Sequence, residues 1–330
     1  MIRKDGYLST AKGSVYWRAW LPETEVRATL QIAHGVAEHG ERYAEFAEYM
    51  TARGFAVYAD DHAGHGRSIG AARGFFAEHN GWFAVVDDLK TVCDLACRDF
   101  PNVPHFLFGH SMGSFLTRSL LIQYPKTPLA GVILSGTGWQ PAAALNAGRA
   151  VYHAERRKRG VRAVSPALNR LMFGGFNGSF KPCRTEHDWL SRDPLLVDAY
   201  ESDPLCGFDI TVGLAGDLLC GIRFNQKRAN LMKMRASLPV CFLSGDCDPV
   251  GAMGRGVVRT YNAFADTGMK NLELALYEGG RHEMLNETNR EDVYKFVADW
   301  YEARCRHGAP MPETHRLRHK HSGLLRRDIR

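Results

Sequence analysis

Apolar residues follow two patterns along the chain, and the two patterns alternate. Short runs of consecutive apolar residues predict buried strands, and longer stretches with apolar residues every three or four positions predict helices. The clearest helix is residues 82–98, whose apolar positions are 82, 85, 86, 89, 92 and 96. Strands are predicted at residues 29–35, 56–61, 105–110, 129–136, 239–246 and 271–279. Strands that alternate with helices indicate a parallel sheet covered on both faces.

The remaining elements complete this picture. Residues 7–20 predict an N-terminal hairpin that turns at Lys12 and Gly13. Further helices are predicted at residues 41–53, 112–124, 254–265 and 290–304. Together these elements predict an α/β fold with a mostly parallel central sheet flanked by helices.

The alternation of strands and helices stops between Gly136 and Pro239. The 102 residues between these two positions contain helix and loop patterns but no strand pattern. We interpret them as a helical cap inserted after the sixth strand of an α/β core. The expected parts of the chain are the first core segment at 1–136, the cap at 137–238, the second core segment at 239–304 and a basic C-terminal tail at 305–330.

The composition is that of an ordinary soluble globular protein, with 45% hydrophobic and 24% charged residues. No run approaches the roughly 20 apolar residues that a membrane-spanning helix needs. The first fourteen residues have no apolar stretch behind their positive charges, so we expect no secretory signal and a cytoplasmic protein. The eight scattered cysteines fit small buried residues in a reducing compartment.

The formal net charge of +6 comes from the C-terminal tail. From Arg304 onward the chain has eight Lys and Arg residues against Glu313 and Asp328, so the rest of the chain is close to neutral. The simplest interpretation is a solvated terminus. Such a charge run also allows weak contact with an anionic membrane surface, whereas we expect no nucleic-acid partner.

A serine stands between two glycines at the end of one predicted strand. Gly109-His110-Ser111-Met112-Gly113 matches the G-x-S-x-G pattern between a strand and a helix. The glycines permit a turn so sharp that side chains two residues before and after the serine would collide. The helix that begins at Met112 directs its N–H groups toward any oxyanion beside Ser111. The motif therefore predicts a nucleophilic serine.

A serine hydroxyl needs a general base, and the predicted sheet indicates where that base lies. His282 follows the last predicted strand and is the candidate base. The preceding strand is followed by Asp246 and Asp248, and we favour Asp248 as the carboxylate that orients the histidine because it lies farther into the loop. Asp246 is expected to cap the turn through its own backbone. The order Ser111, Asp248, His282 is a known order of a serine–acid–histidine triad.

Acyl transfer also needs an oxyanion hole. The backbone N–H of Met112, directly after the candidate nucleophile, is one expected donor, and the N–H of Val36 is the other. Histidines near Val36 and in the loop at residues 61–68 are expected to brace the site, because no matching ligands at metal-like spacing accompany them. We therefore expect no metal and no organic cofactor.

Five motifs together resemble the monoacylglycerol lipase and lysophospholipase-like family of the α/β-hydrolase fold. They are HGVAEHGERY, DDHAGHGRS, GHSMGS, SGDCDPVG and GGRHEMLNE, in the family's order. The resemblance covers residues 10–304 and implies that the inserted segment is the family's lid. The residues that match the family's triad and oxyanion donors are Ser111, Asp248, His282, Val36 and Met112.

The motifs and the resemblance predict two-step hydrolysis of a carboxylic ester through an acyl-enzyme. The implied substrate is a lipid with a single acyl chain, either a monoacylglycerol or a lysophospholipid. A phosphate headgroup in contact with the basic run at residues 156–159 would favour the lysophospholipid. The apolar cap residues that are candidates for the acyl pocket are Leu168, Leu171, Met172, Phe173, Phe176 and Phe180.

Two other functions stay open at this point. A serine aminopeptidase shares the triad and would use acidic cap residues to bind a free amine. A non-catalytic binding protein of the same fold usually lacks part of the triad, whereas all three residues are present here. Haloalkane dehalogenases and epoxide hydrolases have aspartate in place of Ser111, so the sequence excludes them. The acidic cap residues are Glu186, Asp188, Glu201 and Asp203.

Overall fold

The computed structural model describes residues 1–10, 13–70 and 72–305. Its strands are β1 (Ile2–Thr10), β2 (Gly13–Leu21), β3 (Ala28–Ala33), β4 (Phe55–Asp61), β5 (His105–His110), β6 (Leu129–Ser135), β7 (Val240–Gly245) and β8 (Leu272–Tyr277). They form one eight-stranded sheet in the order β1-β2-β4-β3-β5-β6-β7-β8. The β1–β2 and β2–β4 pairs are antiparallel and the other pairs are parallel. The predicted mostly parallel α/β sheet is confirmed.

The central strands send their side chains alternately into two cores. On β5, Leu107 belongs to one core, whereas Phe106 and Phe108 belong to the core on the opposite face. On β6, Val132 and Ile133 divide in the same way, because successive side chains of a strand point to opposite faces. Strands that are buried on both faces have nearly continuous apolar sequences, which is why the sequence pattern revealed them.

Helices cover both faces of the sheet. Helices α1 and α10 pack on one face, and α2, α3, α7 and α9 pack on the other. In the part of the chain that the structure describes, none of the helices is both long and apolar enough to cross a bilayer. The helices are α1 (Ala44–Thr51), α2 (Gly81–Asp99), α3 (Met112–Gln123), α4 (Ala142–Arg159), α5 (Pro166–Phe173), α6 (Pro194–Ser202), α7 (Val212–Asn225), α8 (Arg228–Leu231), α9 (Arg255–Ala265) and α10 (Arg290–Cys305).

The N-terminal hairpin is longer than the sequence pattern predicts. Its first strand begins at Ile2 rather than at Tyr7. The first four residues of this edge strand are all exposed, so its sequence lacks the apolar alternation that marks a half-buried strand. Lys12 of the predicted turn lies outside the described residues, as do residues 306–330, so the expectations for the basic tail stay predictions.

Helices occupy the segment between β6 and β7, residues 137–238, which we call the insertion. It contains α4 to α8. Helix α7 packs closely on α2. The contact is so tight that a Cβ atom at Gly221 would overlap the ring of Trp82. Leu214 and Leu218 of α7 belong to the same core cluster as the apolar residues of α2 and α3. The insertion therefore shares its hydrophobic core with the sheet domain.

A buried guanidinium joins the start of the insertion and the end of α7 to α3. Arg118 of α3 is fully buried and donates hydrogen bonds to the carbonyl oxygens of Gly138, at 3.0 Å, and Asn225, at 3.4 Å. Within the described residues it forms no salt bridge with a carboxylate, and burial lowers the pKa of its guanidinium to about 9. Carbonyl groups near the start of the insertion and at the end of α7 thus hold one buried charge.

The side chain of Asn225 strengthens this connection. Its Nδ2 donates to the Phe115 carbonyl oxygen at 2.7 Å, and its Oδ1 accepts from the Ser119 hydroxyl at 2.8 Å. Asn225 is fully buried, so both polar groups depend on these bonds. The amide therefore fixes the end of α7 against α3.

We expect the substitution Asn225→Ala to destabilise the fold by about 2 kcal/mol, because it leaves the Phe115 carbonyl and the Ser119 hydroxyl without these partners. Urea unfolding measures the loss. The control is Asn146→Ala at an exposed position of α4, which should change the free energy of unfolding by less than about 0.5 kcal/mol. Equal stability of the two variants would contradict the role of the buried amide.

Candidate active site

Ser111 lies on a strained turn between β5 and α3. Its backbone has φ 50° and ψ −120°, a conformation that costs a non-glycine residue about 1–3 kcal/mol. The turn is held by the Ser111 N–H, which donates to the Ser135 carbonyl at 2.9 Å. The Ser111 carbonyl also accepts from the Ser114 hydroxyl at 2.6 Å. Strain of this kind is common at functional sites. The turn lies at the carboxyl end of the parallel strand β5.

The glycines on either side of Ser111 are required by close backbone contacts. A Cβ atom at Gly109 would lie 2.7 Å from the Gly113 carbonyl oxygen, and one at Gly113 would overlap the Ala33 carbonyl. The collision expected from the sequence therefore occurs. The turn at Ser111 packs directly against the end of β3.

His282 and Asp248 form a buried hydrogen-bonded pair. The distance from His282 Nδ1 to Asp248 Oδ1 is 2.9 Å, and both side chains are almost completely buried. Asp248 also accepts from the Val250 N–H at 2.9 Å and from the Ser244 hydroxyl at 3.1 Å. The carboxylate is thus fixed by three partners, and it holds the imidazole with Nε2 as the free nitrogen of the pair.

Asp246 has a different role from the one that the sequence predicts. Its Oδ1 accepts a hydrogen bond from the Gly279 N–H at 2.8 Å. We expected Asp246 to cap the turn through its own backbone, but the carboxylate instead joins the loop after β7 to the loop after β8. Between the two aspartates, the structure pairs Asp248 with the histidine.

Ser111 and His282 line the same cavity, together with Val36 and His110. No hydrogen bond joins the Ser111 hydroxyl to His282, and His282 Nε2 is buried without a hydrogen-bond partner among the described residues. Catalytic hydrogen bonds are often long without substrate and tighten in the complex. The geometry therefore brings the serine and the histidine to one cavity but does not bond them.

Burial alone lowers the pKa of His282, but the Asp248 carboxylate, with smaller contributions from Glu283 and Glu38, more than offsets it and raises the pKa above 6.5. The neighbouring His110 ring lies 4.7 Å from the His282 ring, centroid to centroid. Burial, together with His282, lowers the pKa of His110 to about 4, so His110 is neutral at pH 7. Of these two adjacent rings, only His282 is arranged to hold a proton near neutral pH.

The loop after β3, residues 34–39, forms another wall of the cavity, and we call it the β3 loop. Val36 lies in this loop and lines the cavity, and Met112 begins α3 directly after Ser111. Their role as oxyanion donors stays a prediction. Ala37 has φ 54°, a positive value that is unfavourable for alanine. Its carbonyl accepts from the Tyr200 hydroxyl at 2.9 Å and from the Gly207 N–H at 3.0 Å. The insertion thus stabilises the strained β3 loop.

Arg42 connects the β3 loop to the loop that carries His282. Its guanidinium lies 2.5 Å from Glu38 Oε2 and forms two bonds of 2.7 Å to the Glu283 carboxylate. The other oxygen of Glu38 accepts from the Gly35 N–H and, at 2.9 Å, from the Tyr43 hydroxyl. Sequence reasoning missed this network. Its signals are the four-residue spacing of Glu38 and Arg42 and the position of Glu283 next to His282.

Two of the histidines expected to brace the site, His34 and His62, brace each other. The His34 and His62 rings stack with centroids 4.0 Å apart, and the backbone N–H of His62 donates to His34 Nε2 at 2.9 Å. His62 Nδ1 lies 2.6 Å from Asp60 Oδ2. Burial lowers the pKa values of His34 and His65, that of His65 to about 3, so both are neutral side chains that order the loops.

The cavity has a volume of about 550 Å³ and is walled by both the core and the insertion. Of the six apolar cap residues predicted for it, only Phe173 lines it. Leu168 is buried in the main core cluster and Leu171 is 53% exposed. Sequence reasoning missed Trp189, whose ring centroid lies 5.0 Å from that of His282. Other lining residues from the insertion include Asn169, Arg170, Glu186, Leu190, Asp209 and Ile210.

Comparison with known proteins places this site in a wider group. The family model Hydrolase_4, described as serine aminopeptidase S33, matches residues 24–289. A monoacylglycerol lipase of Mycolicibacterium smegmatis is 30% identical over 291 residues, which are 87% of this chain and 92% of the relative.

Two solved structures resemble the fold over almost its whole length. A thermostable carboxyl esterase from Bacillus coagulans superposes with a TM-score of 0.86 at 25% identity, over 93% of this chain and 100% of that one. A lipase in an open form superposes with a TM-score of 0.81 at 27% identity, over 92% and 100%. These proteins are esterases and lipases, and their similarity to this chain extends beyond the sheet.

We expect Gly113→Ala to cost about 3 kcal/mol or more, because its Cβ would overlap a backbone carbonyl of β3 that cannot move aside. Urea unfolding of the variant measures the loss. Gly178→Ala is the control, since a Cβ there meets no atom within 4 Å, and it should change stability by less than about 0.5 kcal/mol. Unchanged stability of Gly113→Ala would rule out the tight contact between the turn and β3.

Proposed function

Because the chain belongs to the Hydrolase_4 family of α/β hydrolases, in its monoacylglycerol lipase-like branch, and is a carboxylic ester hydrolase, we propose that it cleaves monoacylglycerols through Ser111, His282 and Asp248. The observation that carries the proposal is the cavity that holds both Ser111 and the Asp248-paired His282. Its apolar wall comes from the insertion, and the strained turn exposes the serine to it.

In the first step, His282 Nε2 takes the proton of the Ser111 hydroxyl as the oxygen attacks the ester carbonyl. Nε2 is available because Nδ1 is bonded to Asp248 at 2.9 Å. Asp248 keeps the ring oriented and stabilises the imidazolium that forms. His282 then gives the proton to the leaving glycerol oxygen, and an acyl-serine remains.

In the second step, water attacks the acyl-serine with His282 again as general base, and the fatty acid leaves. In both steps the carbonyl oxygen becomes an oxyanion. The proposed donors are the backbone N–H groups of Val36 and Met112, and the N-terminal end of α3 adds a favourable dipole. The hydrogen bonds to the Ala37 carbonyl support this role, because they hold the β3 loop in its strained conformation before substrate binds.

The cavity walls support a neutral, single-chain substrate. Aromatic and aliphatic residues such as Phe173, Trp189 and Leu190 offer surface for an acyl chain. The exposed carboxylates Glu186 and Asp209 also line the cavity and would repel a phosphate headgroup, although Arg170 lies among them. The basic run at 156–159 is exposed on α4 and does not line the cavity. These charges favour monoacylglycerol over lysophospholipid.

A serine aminopeptidase is the second candidate, because the same two carboxylates, Glu186 and Asp209, could bind the free amine of a peptide. Of the four acidic cap residues considered from sequence, Asp188, Glu201 and Asp203 instead bond residues of the insertion or the β3 loop. A non-catalytic binding protein is disfavoured, because all three triad residues are present and two of them are already paired.

We expect Ser111→Ala to abolish hydrolysis of monoacylglycerols and p-nitrophenyl esters, and Asp248→Asn to lower kcat by about 10⁴-fold through the wrong histidine tautomer. Initial rates on both ester classes measure the effect. Asp246→Asn is the matched control. It changes a carboxylate two residues away that bonds Gly279 rather than His282, and it should retain most of the activity.

Assays with lysophospholipids and aminoacyl anilides separate the alternatives. Turnover of anilides without turnover of esters would replace the lipase proposal with the aminopeptidase. Failure of a fluorophosphonate probe to label Ser111 would indicate a binding protein. Loss of activity in Asp246→Asn equal to that in Asp248→Asn would refute the assignment of the acid.

The pH dependence of kcat/KM tests the electrostatics around His282. Because the pKa of His282 is raised, the neutral base appears only above that value, and activity should fall as the pH drops through a midpoint above 6.5. Glu283→Gln removes a negative charge that favours the imidazolium, so the midpoint should move to lower pH.

The control for this shift is Glu291→Gln, an exposed residue at the start of α10 that is not among the charges acting on His282. Its acid limb should coincide with that of the unsubstituted enzyme. A midpoint that stays in place in Glu283→Gln, or rises, would contradict the electrostatic role assigned to this carboxylate.

A further inference from the structure

A turn of the insertion lies directly on the β3 loop, at some distance in sequence from it. The Gly207 N–H donates to the Ala37 carbonyl at 3.0 Å. The adjacent contact between the two segments is also polar, because His39 Nε2 lies 2.9 Å from Asp203 Oδ2. Cys206 completes the turn, with its N–H bonded to the Asp203 carbonyl at 3.0 Å. Donor side chains from two segments therefore meet here.

Three different ligand atoms come together at this contact. The imidazole of His39, the carboxylate of Asp203 and the thiol of Cys206 each offer one atom, and these atoms all lie within 4.8 Å of one another. His39 and Cys206 are buried and Asp203 is partly exposed, so the group is enclosed on the protein side and open to ions on the other. Elsewhere in the described residues no other group of three such side chains is close enough to hold a metal ion.

Nitrogen, oxygen and sulfur donors together are the ligands that Zn²⁺ prefers. Two ligands at about 2.0–2.1 Å from a tetrahedral ion lie ~3.3 Å apart. The 2.9 Å between His39 Nε2 and Asp203 Oδ2 would thus have to widen by only a few tenths of an ångström. A water molecule would complete four ligands, and Asp203 lies on the side that solvent reaches.

The charges around this group favour a cation. The charged groups with the largest effect on the Cys206 thiol are Arg42, Glu38, Asp203 and Glu283, three carboxylates and one guanidinium. Arg42 is already engaged by Glu38 and Glu283. Among these four groups negative charge is in excess before any thiolate forms, and a divalent ion would offset it.

We propose that His39, Asp203 and Cys206 form a binding site for Zn²⁺, or for another divalent cation that accepts thiolate, between the β3 loop and the insertion. The ion displaces the thiol proton of Cys206. The proton that His39 Nε2 shares with Asp203 moves to His39 Nδ1 or to solvent, so that the ion takes the thiolate, the imidazole nitrogen and the carboxylate as its protein ligands. Because its ligands come from two segments that are 164 residues apart, it ties the insertion to the β3 loop. Binding at this site does not require that the chain hydrolyse esters.

The test measures Zn²⁺ binding by calorimetry and Co²⁺ binding by the near-ultraviolet thiolate-to-cobalt absorption band. The full chain is used, with its tail histidines replaced by glutamine so that they do not bind metal. We expect one ion per chain, the cobalt band, and a rise in Tm with added Zn²⁺, because the ion binds the folded state. The tail histidines are His307, His315, His319 and His321.

Cys206→Ser should abolish the cobalt band and weaken Zn²⁺ binding at least about 10-fold. Asp203→Asn, at a partly exposed position, should also weaken Zn²⁺ binding. It is the test variant if Cys206→Ser does not fold. Cys220→Ser, at an exposed cysteine of α7, is the control and should leave binding unchanged. The proposal is overturned if the band persists in Cys206→Ser, if Asp203→Asn binds as tightly as the parent, or if no stoichiometric binding occurs at micromolar metal.

Discussion

The close approach of three backbone segments around Ser111 is the constraint on which the rest of the site depends. β5 ends, α3 begins and the end of β3 packs against the turn with no room for a side chain at Gly109 or Gly113. This contact forces Ser111 into a conformation with positive φ and places it at the edge of the sheet where the loops after β3 and β8 also emerge. The cavity forms where these loops meet the insertion.

Buried charges then determine how the loops are held. Asp248 orients His282, and Arg42 binds Glu38 in the β3 loop and Glu283 beside His282. Each of these charged groups has a partner of opposite charge or a hydrogen-bond partner, as burial demands. The same groups that position the loops also act on the pKa of His282, so the structural and the electrostatic roles of these residues are not separable.

The insertion is joined to the core at its start, at the end of α7 and above the cavity. At its start and at the end of α7, the Arg118 and Asn225 contacts connect it to α3, the helix that follows Ser111. Above the cavity, Tyr200 and Gly207 hold the Ala37 carbonyl. A movement of the insertion would therefore displace the β3 loop. The proposed metal site lies at the same contact between the insertion and the β3 loop.

The sequence by itself determined the alternating strands and helices, the tight turn at Ser111 and the likeness of its motifs to a family, because these depend on local patterns of apolar residues and glycine. It missed the start of β1, which has no buried face to mark it. The sequence also favoured Asp248 as the partner of His282, and the structure pairs them. Only the tertiary structure decided that Arg42 joins two loops and that Trp189 rather than Leu171 lines the cavity. These contacts join segments far apart in the chain, and their distances follow from packing that no local pattern records.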